Sequence, residues 1–358
     1  MQESKQKTII VNARFLTQPV TGVQRFAIEI SLCLKRLYPH AVFVAPRKLV
    51  HKEIAQQLEV VTFGHLAGHA WEQLELPLYL KKHNQPLLLN LCNTAPLFYR
   101  KQVVCIHDLA VFINPAWFSA SFAAVYKFLL PRIARRSVKV LTVSNYSRQT
   151  IQSLLGIQEA KIAVIYNAVS DYLCTTGKEA TPSKYGAYIL AVGSLDPRKN
   201  LLNLVKAFNQ CQLPGIKLVI VGATSSIFKD PALQQLLLGN DQIILTGYLP
   251  DQALPGLYRN ALFFVYPSFF EGFGIPPLEA MQCGCATIVS NTSSLPEVCA
   301  DASLYVNPTD IADIARAIGL LASDAELRNN LIHKGLERSR HFSWEKSAIK
   351  LMKVIERV

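Results

Sequence analysis

The stretch Pro267–Gly284, PSFFEGFGIPPLEAMQCG, decides how the chain is read. The apolar run before it, Leu262–Tyr266, reads as a buried parallel strand. A loop carrying Gly272 and Gly274 follows. Pro276 and Pro277 then open a short helix through Cys283, because proline suits the start of a helix. Strand, glycine loop and helix N-terminus together make a phosphate-binding geometry, since backbone N–H groups and the helix dipole converge there. Two glutamates bracket the loop. Glu271 is expected at the strand end and Glu279 in the first helical turn. The dipole alone accounts for a carboxylate at Glu279. Glu271, set among glycines, is placed for contact with a ligand.

Outward from this stretch the pattern alternates between strand and helix. In the first half, strands are expected at Thr8–Val11, Ala41–Ala45, Leu87–Leu91, Val103–His107, Val138–Val143 and Ile162–Ile165. Helices are expected at Gly22–Leu37, His69–Lys82, Ser119–Arg136 and from Ser144 to Leu155. The pattern restarts with a strand at Tyr188–Val192 and runs to a last helix from Trp344 to Glu356, capped by Ser343. Such alternation implies parallel sheets covered on both faces. With 358 residues the chain exceeds one ordinary core. The expected division is a first domain over 1–170, a polar linker over 171–186, and a second domain over 187–341. A C-terminal helix over 342–358 is expected to pack back on the first domain. Two doubly wound domains of this kind carry their ligand loops at the carboxyl ends of the strands, facing a central cleft.

Charge is unevenly placed. Residues 1–170 hold 20 Lys and Arg against 8 Asp and Glu, whereas residues 171–358 hold 17 of each. The first half therefore carries the whole excess of +12 and is expected to face something anionic. A membrane surface, a lipid phosphate and a nucleic acid all fit that description. Lack of basic–aromatic interleaving disfavours the nucleic acid. No run of eighteen apolar residues suggests a membrane-spanning helix. The opening MQESKQKTIIVNAR reads as a polar tail and a strand rather than a signal peptide. Eight cysteines without C-x-x-C spacing point to buried thiols in a reducing compartment. Without Asp-x-Asp, zinc-ligand spacing, G-x-G-x-x-G after the first strand, or a P-loop, metal-dependent, redox and P-loop chemistry lose support.

Several further positions are candidates for chemistry. Gly193–Asn200, GSLDPRKN, follows a strand and precedes a helix, so Arg198 and Lys199 are placed to neutralise a diphosphate. Gly22, in Thr21-Gly22-Val23, lets backbone approach a ligand closely at a second strand–loop–helix junction. His107 ends an apolar strand at the corresponding edge of the first sheet, where Asp108 either orients it or caps the next turn. Backbone at Gly247-Tyr248-Leu249 is placed to hold a nucleobase edge. The aromatic helix from Ser119, with basic Arg132, Arg135 and Arg136 at its end, serves either as core or as a membrane-facing amphipathic element.

Taken together, EGFGIPPLEA, GSLDPRKN, TGVQRFA and FSWEKSA resemble the family 4 glycosyltransferases. VCIHDLAVFINP, LTVSNYSRQTI, VIYNAV and SSLPEV are also similar to stretches of that family. The resemblance spans nearly the whole chain and is strongest over 188–345. It runs nearest to bacterial mannosyl- and rhamnosyltransferases of O-antigen and exopolysaccharide assembly. It implies the GT-B fold of two Rossmann-like domains, the first (1–170) acceptor-binding and the second (187–341) nucleotide-sugar-binding. It implies that Glu271 contacts donor-sugar hydroxyls, Glu279 the ribose, and Arg198 and Lys199 the diphosphate. The Gly272-Phe273-Gly274 backbone, with Tyr248 and Leu249, would complete the donor site. Gly22 would close over the phosphates, and His107 would lie near sugar and acceptor. Many members carry a basic residue after the glycine of the phosphate loop, where this chain has Ser194, so diphosphate binding is expected to rest on Arg198 and Lys199.

The activity implied is retaining, metal-independent transfer of a hexose to a lipid-linked oligosaccharide. Mannose from GDP-mannose is placed first, and rhamnose or glucose from another nucleotide sugar second. No cofactor, no metal and no nucleic-acid partner is expected. The protein would sit in the cytoplasm, peripheral at the inner face of the plasma membrane through its basic first domain. A catalytically idle GT-B protein assisting membrane assembly is the rival from another class. A phosphorylase on the same fold would need a cofactor-bearing lysine site that the sequence does not display.

Overall fold

A computed structural model describes residues 8–173, 184–193, 196–222 and 231–358. The chain forms two compact units, one ending at Asn167 and completed by Trp344–Val358, the other spanning Ala168–Ser343.

The first unit is built on seven strands: β1 Ile9–Asn12, β2 Val42–Ala45, β3 Val61–Thr62, β4 Leu87–Asn90, β5 Gln102–Cys105, β6 Lys139–Thr142 and β7 Ile162–Val164. Their order is β3-β2-β1-β4-β5-β6-β7 and every pairing is parallel. A parallel sheet needs apolar cover on both faces. One cluster gathers Val104, Ile106, Ile133 and Val140, and another Ile10, Val44, Trp71, Leu80 and Leu88. The helix Gly22–Leu37 turns Phe26, Ile30, Cys33 and Leu34 inward, at helical spacing. The last helix, Trp344–Glu356, packs on it, with the Trp344 and Phe26 rings 6.0 Å apart.

The second unit has six strands: β8 Ala187–Val192, β9 Ile216–Val221, β10 Ile243–Gly247, β11 Phe263–Tyr266, β12 Thr287–Ser290 and β13 Leu304–Val306. Their order is β10-β9-β8-β11-β12-β13, again all parallel. Ile189, Leu218, Phe263 and Ile288 make the centre of its core with Val205, Phe208 and Ile318 from the covering helices.

Both sheets reverse direction at the same place. The chain builds outward from a first strand, then returns to lay the fourth beside it: β4 beside β1, and β11 beside β8. Helices flanking such a point lie on opposite faces, so the loops leaving the two strands part and open a crevice at their carboxyl ends. These two points set where each unit can hold a ligand.

The structure adds elements the pattern did not reveal: helices Lys52–Gln57, Ala110–Ile113, Pro231–Leu237 and Leu295–Cys299, and the edge strands β3 and β13. None exceeds seven residues, which is too short for a hydrophobic period to register. Most of the expected linker, 174–183, lies outside the described residues, as does Ser194. Asp171–Leu173 forms a short 3-10 turn that belongs to the second unit, where the Cys283 thiol lies 3.9 Å from the Leu173 carbonyl.

Candidate active site

The loop after β11 is held by a row of hydroxyls. Ser290 Oγ donates to the Ser268 carbonyl at 2.6 Å, and Thr292 Oγ1 to that of Phe269 at 3.4 Å. Ser293 Oγ accepts from the Glu271 amide at 3.0 Å. Ser294 Oγ lies 3.0 and 2.9 Å from the carbonyls of Glu271 and Phe273, sharing its proton between them. Each such bond is worth roughly 1 kcal/mol net, so Ser290 and the stretch after β12, Asn291-Thr-Ser-Ser294, fix the loop. Gly274 then turns the chain with φ +101°, and a Cβ there would lie 2.5 Å from Leu295 Cδ2. Only glycine meets both demands. Phe273 is buried and its ring meets Phe342 edge-on at 5.4 Å. Its side chain therefore anchors the loop.

Glu271 is five residues past the end of β11, not at the strand end as expected, because the strand stops at Tyr266. The extra length brings its carboxylate to the opposite loop. Lys199 Nζ donates to Glu271 Oε1 at 2.7 Å and to the Tyr266 hydroxyl at 2.6 Å. The Lys199 and Glu271 side chains are only 16% and 12% exposed. Burial alone would favour the neutral amine, but the Glu271 charge and these hydrogen bonds outweigh it and hold the ammonium well above its usual range. Burial, reinforced by the Glu271 charge, pushes the Tyr266 phenol up, so it stays protonated. The Phe269 amide donates to the Arg198 carbonyl at 2.8 Å, which ties the two loops together at the β8/β11 crevice.

Arg198 and Lys199 share a 3-10 turn but face different partners. Arg198 folds onto Asp196, with Nε 3.0 Å from Oδ1 and a terminal nitrogen 2.7 Å from Oδ2. Burial raises the Asp196 pKa, but the Arg198 hydrogen bond and charge more than reverse this and hold the carboxyl below its ordinary range. Asn200, in the left-handed conformation at φ 57°, closes the turn and donates to the carbonyls of Pro267 and Pro308 at 2.9 and 2.7 Å.

Glu279 lies in the second turn of its helix, Ile275–Gln282, not the first. The helix begins at Ile275, one residue before the prolines, so the dipole does not account for this carboxylate. Tyr258 does: its hydroxyl donates to Glu279 Oε2 at 3.0 Å in a buried setting. At β10, Tyr248 is 76% exposed and Leu249 half-buried, consistent with an open loop whose side chains commit to nothing.

In the first unit, Gly22 is exposed at the start of its helix. The preceding Thr21 amide donates to Gln24 Oε1 at 3.2 Å. His107 lies two residues beyond the end of β5, because the strand closes at Cys105. It is 4% exposed, its Nε2 hydrogen-bonded to the Leu91 carbonyl at 2.9 Å and its ring edge-on to Phe26 at 4.9 Å. Burial lowers its pKa, partly offset by that carbonyl and by Asp108, so the ring is neutral at pH 7. Asp108 caps the next turn, accepting from the Ala110 amide at 2.8 Å. Among the described residues no group of three or more His, Cys, Asp or Glu gathers to hold a metal ion.

The family model Glycosyltransferase Family 4 matches residues 20–171, and Glycosyl transferases group 1 matches 178–338. The chain is 34% identical to O-antigen chain mannosyltransferase B of Escherichia coli, over 94% of this chain and 96% of that one. It belongs to the family 4 glycosyltransferases. It is also 29% identical to O-antigen chain mannosyltransferase RfbU of Salmonella typhimurium, over 84% and 87% of the two chains. In fold it is similar to sucrose-phosphate synthase from Thermosynechococcus elongatus (TM-score 0.78, 18% identity, 98% and 99% covered). It is likewise similar to WaaG, a glycosyltransferase involved in lipopolysaccharide biosynthesis (TM-score 0.73, 14% identity, 97% and 99% covered). The two doubly wound sheets are thus those of the GT-B fold.

In this glycosyltransferase the second unit brings Lys199 and Glu271 into direct contact, with Arg198 bonded in the same turn. Glu279 is held separately by Tyr258, and Gly22 and His107 belong to the other unit. Sequence reading missed Tyr266, Tyr258 and the Ser290–Ser294 hydroxyls. Tyr266 was legible only as the last residue of an apolar strand. Ser290 at the end of β12 and the three hydroxyl residues just after it, facing a glycine loop, were the one signal for the scaffold. Gly274→Ala is expected to shift the loop and lower turnover by about 100-fold, as a displacement near 1 Å does at a reacting centre. Steady-state kinetics with a folded variant checks this, and an unchanged rate would contradict the account of the loop.

Proposed function

We propose that this chain is a retaining, metal-independent mannosyltransferase, moving mannose from GDP-mannose to a lipid-linked oligosaccharide during assembly of a cell-surface polysaccharide. The observation that carries the reading is the ammonium of Lys199, buried in the β8/β11 crevice against Glu271 and Tyr266. Breaking the sugar–phosphate bond leaves negative charge on the diphosphate. A cation in a partly desolvated site stabilises that charge far better than one in water. Lys199 is the group for this, with Arg198 beside it in the same turn. When donor enters, its diphosphate takes over the amine, and the Glu271 carboxylate accepts from sugar hydroxyls instead. Glu279, oriented by Tyr258, receives the ribose hydroxyls, and the backbone of Gly272, Phe273 and Gly274 holds the phosphates.

Transfer proceeds on one face of the sugar. The acceptor oxygen bonds to the anomeric carbon as the bond to the diphosphate breaks, and the hydroxyl proton passes to the departing phosphate. Such a route needs no second carboxylate at hydrolase spacing. Mannose and GDP are supported by the relatives named as mannosyltransferases.

Attachment at the cytoplasmic face of a membrane is supported by the helix Ala120–Arg136. Phe122, Val125 and Phe128 are exposed on it and Phe98 on the segment before β5, with the Arg136 guanidinium 5.3 Å from the Phe98 ring and that of Arg132 3.5 Å from the Phe128 ring. Aromatic rings and guanidinium groups side by side suit an anionic interface. Among the described residues no helix is long and apolar enough to cross a membrane.

With a chelator present throughout, the wild type is expected to transfer mannose at its full rate, and Glu271→Ala to lose at least about 100-fold while keeping its fold. Wild-type turnover in Glu271→Ala would overturn the site assignment, and a rate lost to the chelator would overturn metal independence. Sedimentation with vesicles rich in anionic phospholipid is expected for the wild type and reduced in a Phe98→Ser, Phe128→Ser variant. Equal capture of both would contradict the membrane surface.

A further inference from the structure

The crevice of the first unit, where β1 meets β4, holds a group of polar side chains to which none of the roles above applies. The two strands end in register on Asn12 and Asn90, and these amides bond at 3.0 Å. Asn12 Nδ2 also donates to Glu72 Oε1 at 2.9 Å. Arg14 Nε lies 3.2 Å from the same oxygen, and another Arg14 nitrogen donates to Thr94 Oγ1 at 2.9 Å. Glu72 is 1% exposed and sits in a π-helical stretch, Trp71–Glu75, a wide turn often found at functional sites. Hydrogen bonding and charge from His69, Arg14 and Thr94 outweigh the burial of Glu72 and keep it ionised.

One Glu72 oxygen is thus taken up by Asn12 and Arg14. The other, Oε2, lies 3.4 Å from His69 Nδ1. A carboxylate only accepts, so Nδ1 carries the hydrogen, and in the neutral ring Nε2 is left with its lone pair. The His69 side chain is 48% exposed, unlike every other member of the group. The Tyr126 ring meets it edge-on at 6.5 Å, and Phe122 and Phe118 continue a stack from Tyr126 at spacings of 4.0 and 5.3 Å. A purely structural ion pair accounts for Arg14 and Glu72, although apolar residues of similar volume would often serve as well. It does not account for an accessible imidazole whose tautomer is set from beneath, at the mouth of a crevice and beside an aromatic surface.

We propose that His69 is an acceptor-binding residue: its Nε2 accepts the hydrogen of a hydroxyl on the acceptor saccharide, while Glu72, fixed by Arg14 and Asn12, positions the ring. The Tyr126 ring beside His69 supplies an apolar surface for the C–H face of a sugar. Glu72 and Arg14 touch no substrate and act only through His69. The assignment rests on the proposed glycosyl transfer and names the side of the reaction that Lys199 and Glu271 do not serve.

Steady-state kinetics with GDP-mannose as donor and octyl α-mannoside as acceptor tests it. In His69→Ala the acceptor KM is expected to rise at least tenfold, with the donor KM within twofold of wild type and the melting temperature unchanged. His69→Gln, which returns an accepting oxygen near the Nε2 position, is expected to recover part of the loss, and His69→Leu none. An unchanged acceptor KM in His69→Ala, or a matching rise in donor KM, would overturn the proposal. A wild type that turns over no acceptor would instead sink the functional reading beneath it, so the two failures are distinguishable.

Discussion

The ammonium of Lys199 is the constraint around which the second unit is arranged. A lysine so enclosed keeps its charge only if a carboxylate and a hydrogen-bond acceptor are delivered to it. Glu271 and Tyr266 meet that demand from the far loop and from the strand end. Delivering Glu271 requires a five-residue excursion beyond β11, and the excursion requires Gly274, the hydroxyls of Ser290 to Ser294 and the Asn200 amide to hold its shape. Few of these residues would meet a donor, yet each bears on where the ammonium and the carboxylate stand. Charge already in place when the donor arrives costs no reorganisation as the glycosidic bond breaks.

The two units share one topology and use it differently. In each, the crevice lies where the fourth strand returns beside the first. The second unit lines its crevice with a salt-bridged lysine and a glycine turn, a chemistry suited to phosphate. In the first, two asparagines and a half-exposed histidine present hydrogen-bonding groups beside a buried arginine–glutamate pair, which suits hydroxyls. The basic excess lies in this same half of the chain, and its arginines flank exposed phenylalanines.

Fold class and the principal loop were legible in the sequence because both rest on local signals. Apolar strands, prolines in a helix's first turn and glycines at fixed offsets are each readable within a few residues. Glu271, Lys199 and Arg198 were legible as candidates because they stand at strand–helix junctions. Less legible were relations between distant segments. Lys199 to Tyr266 spans 67 residues and Tyr258 to Glu279 spans 21, and no local period encodes either. Glu279 was misplaced by one turn because the helix starts at Ile275 rather than at the prolines. Arg14 and Glu72 escaped notice for the same reason: 58 residues separate them, and each alone looks like an ordinary charged residue.

Hydrogen exchange of the wild type with and without GDP-mannose tests the central claim most directly. If the Lys199–Glu271 crevice receives the donor, amides of Phe269–Ile275 and of Arg198–Asn200 slow on adding it, since ordering by a ligand closes local opening. Turnover under the same conditions with no slowing in either segment would contradict the account.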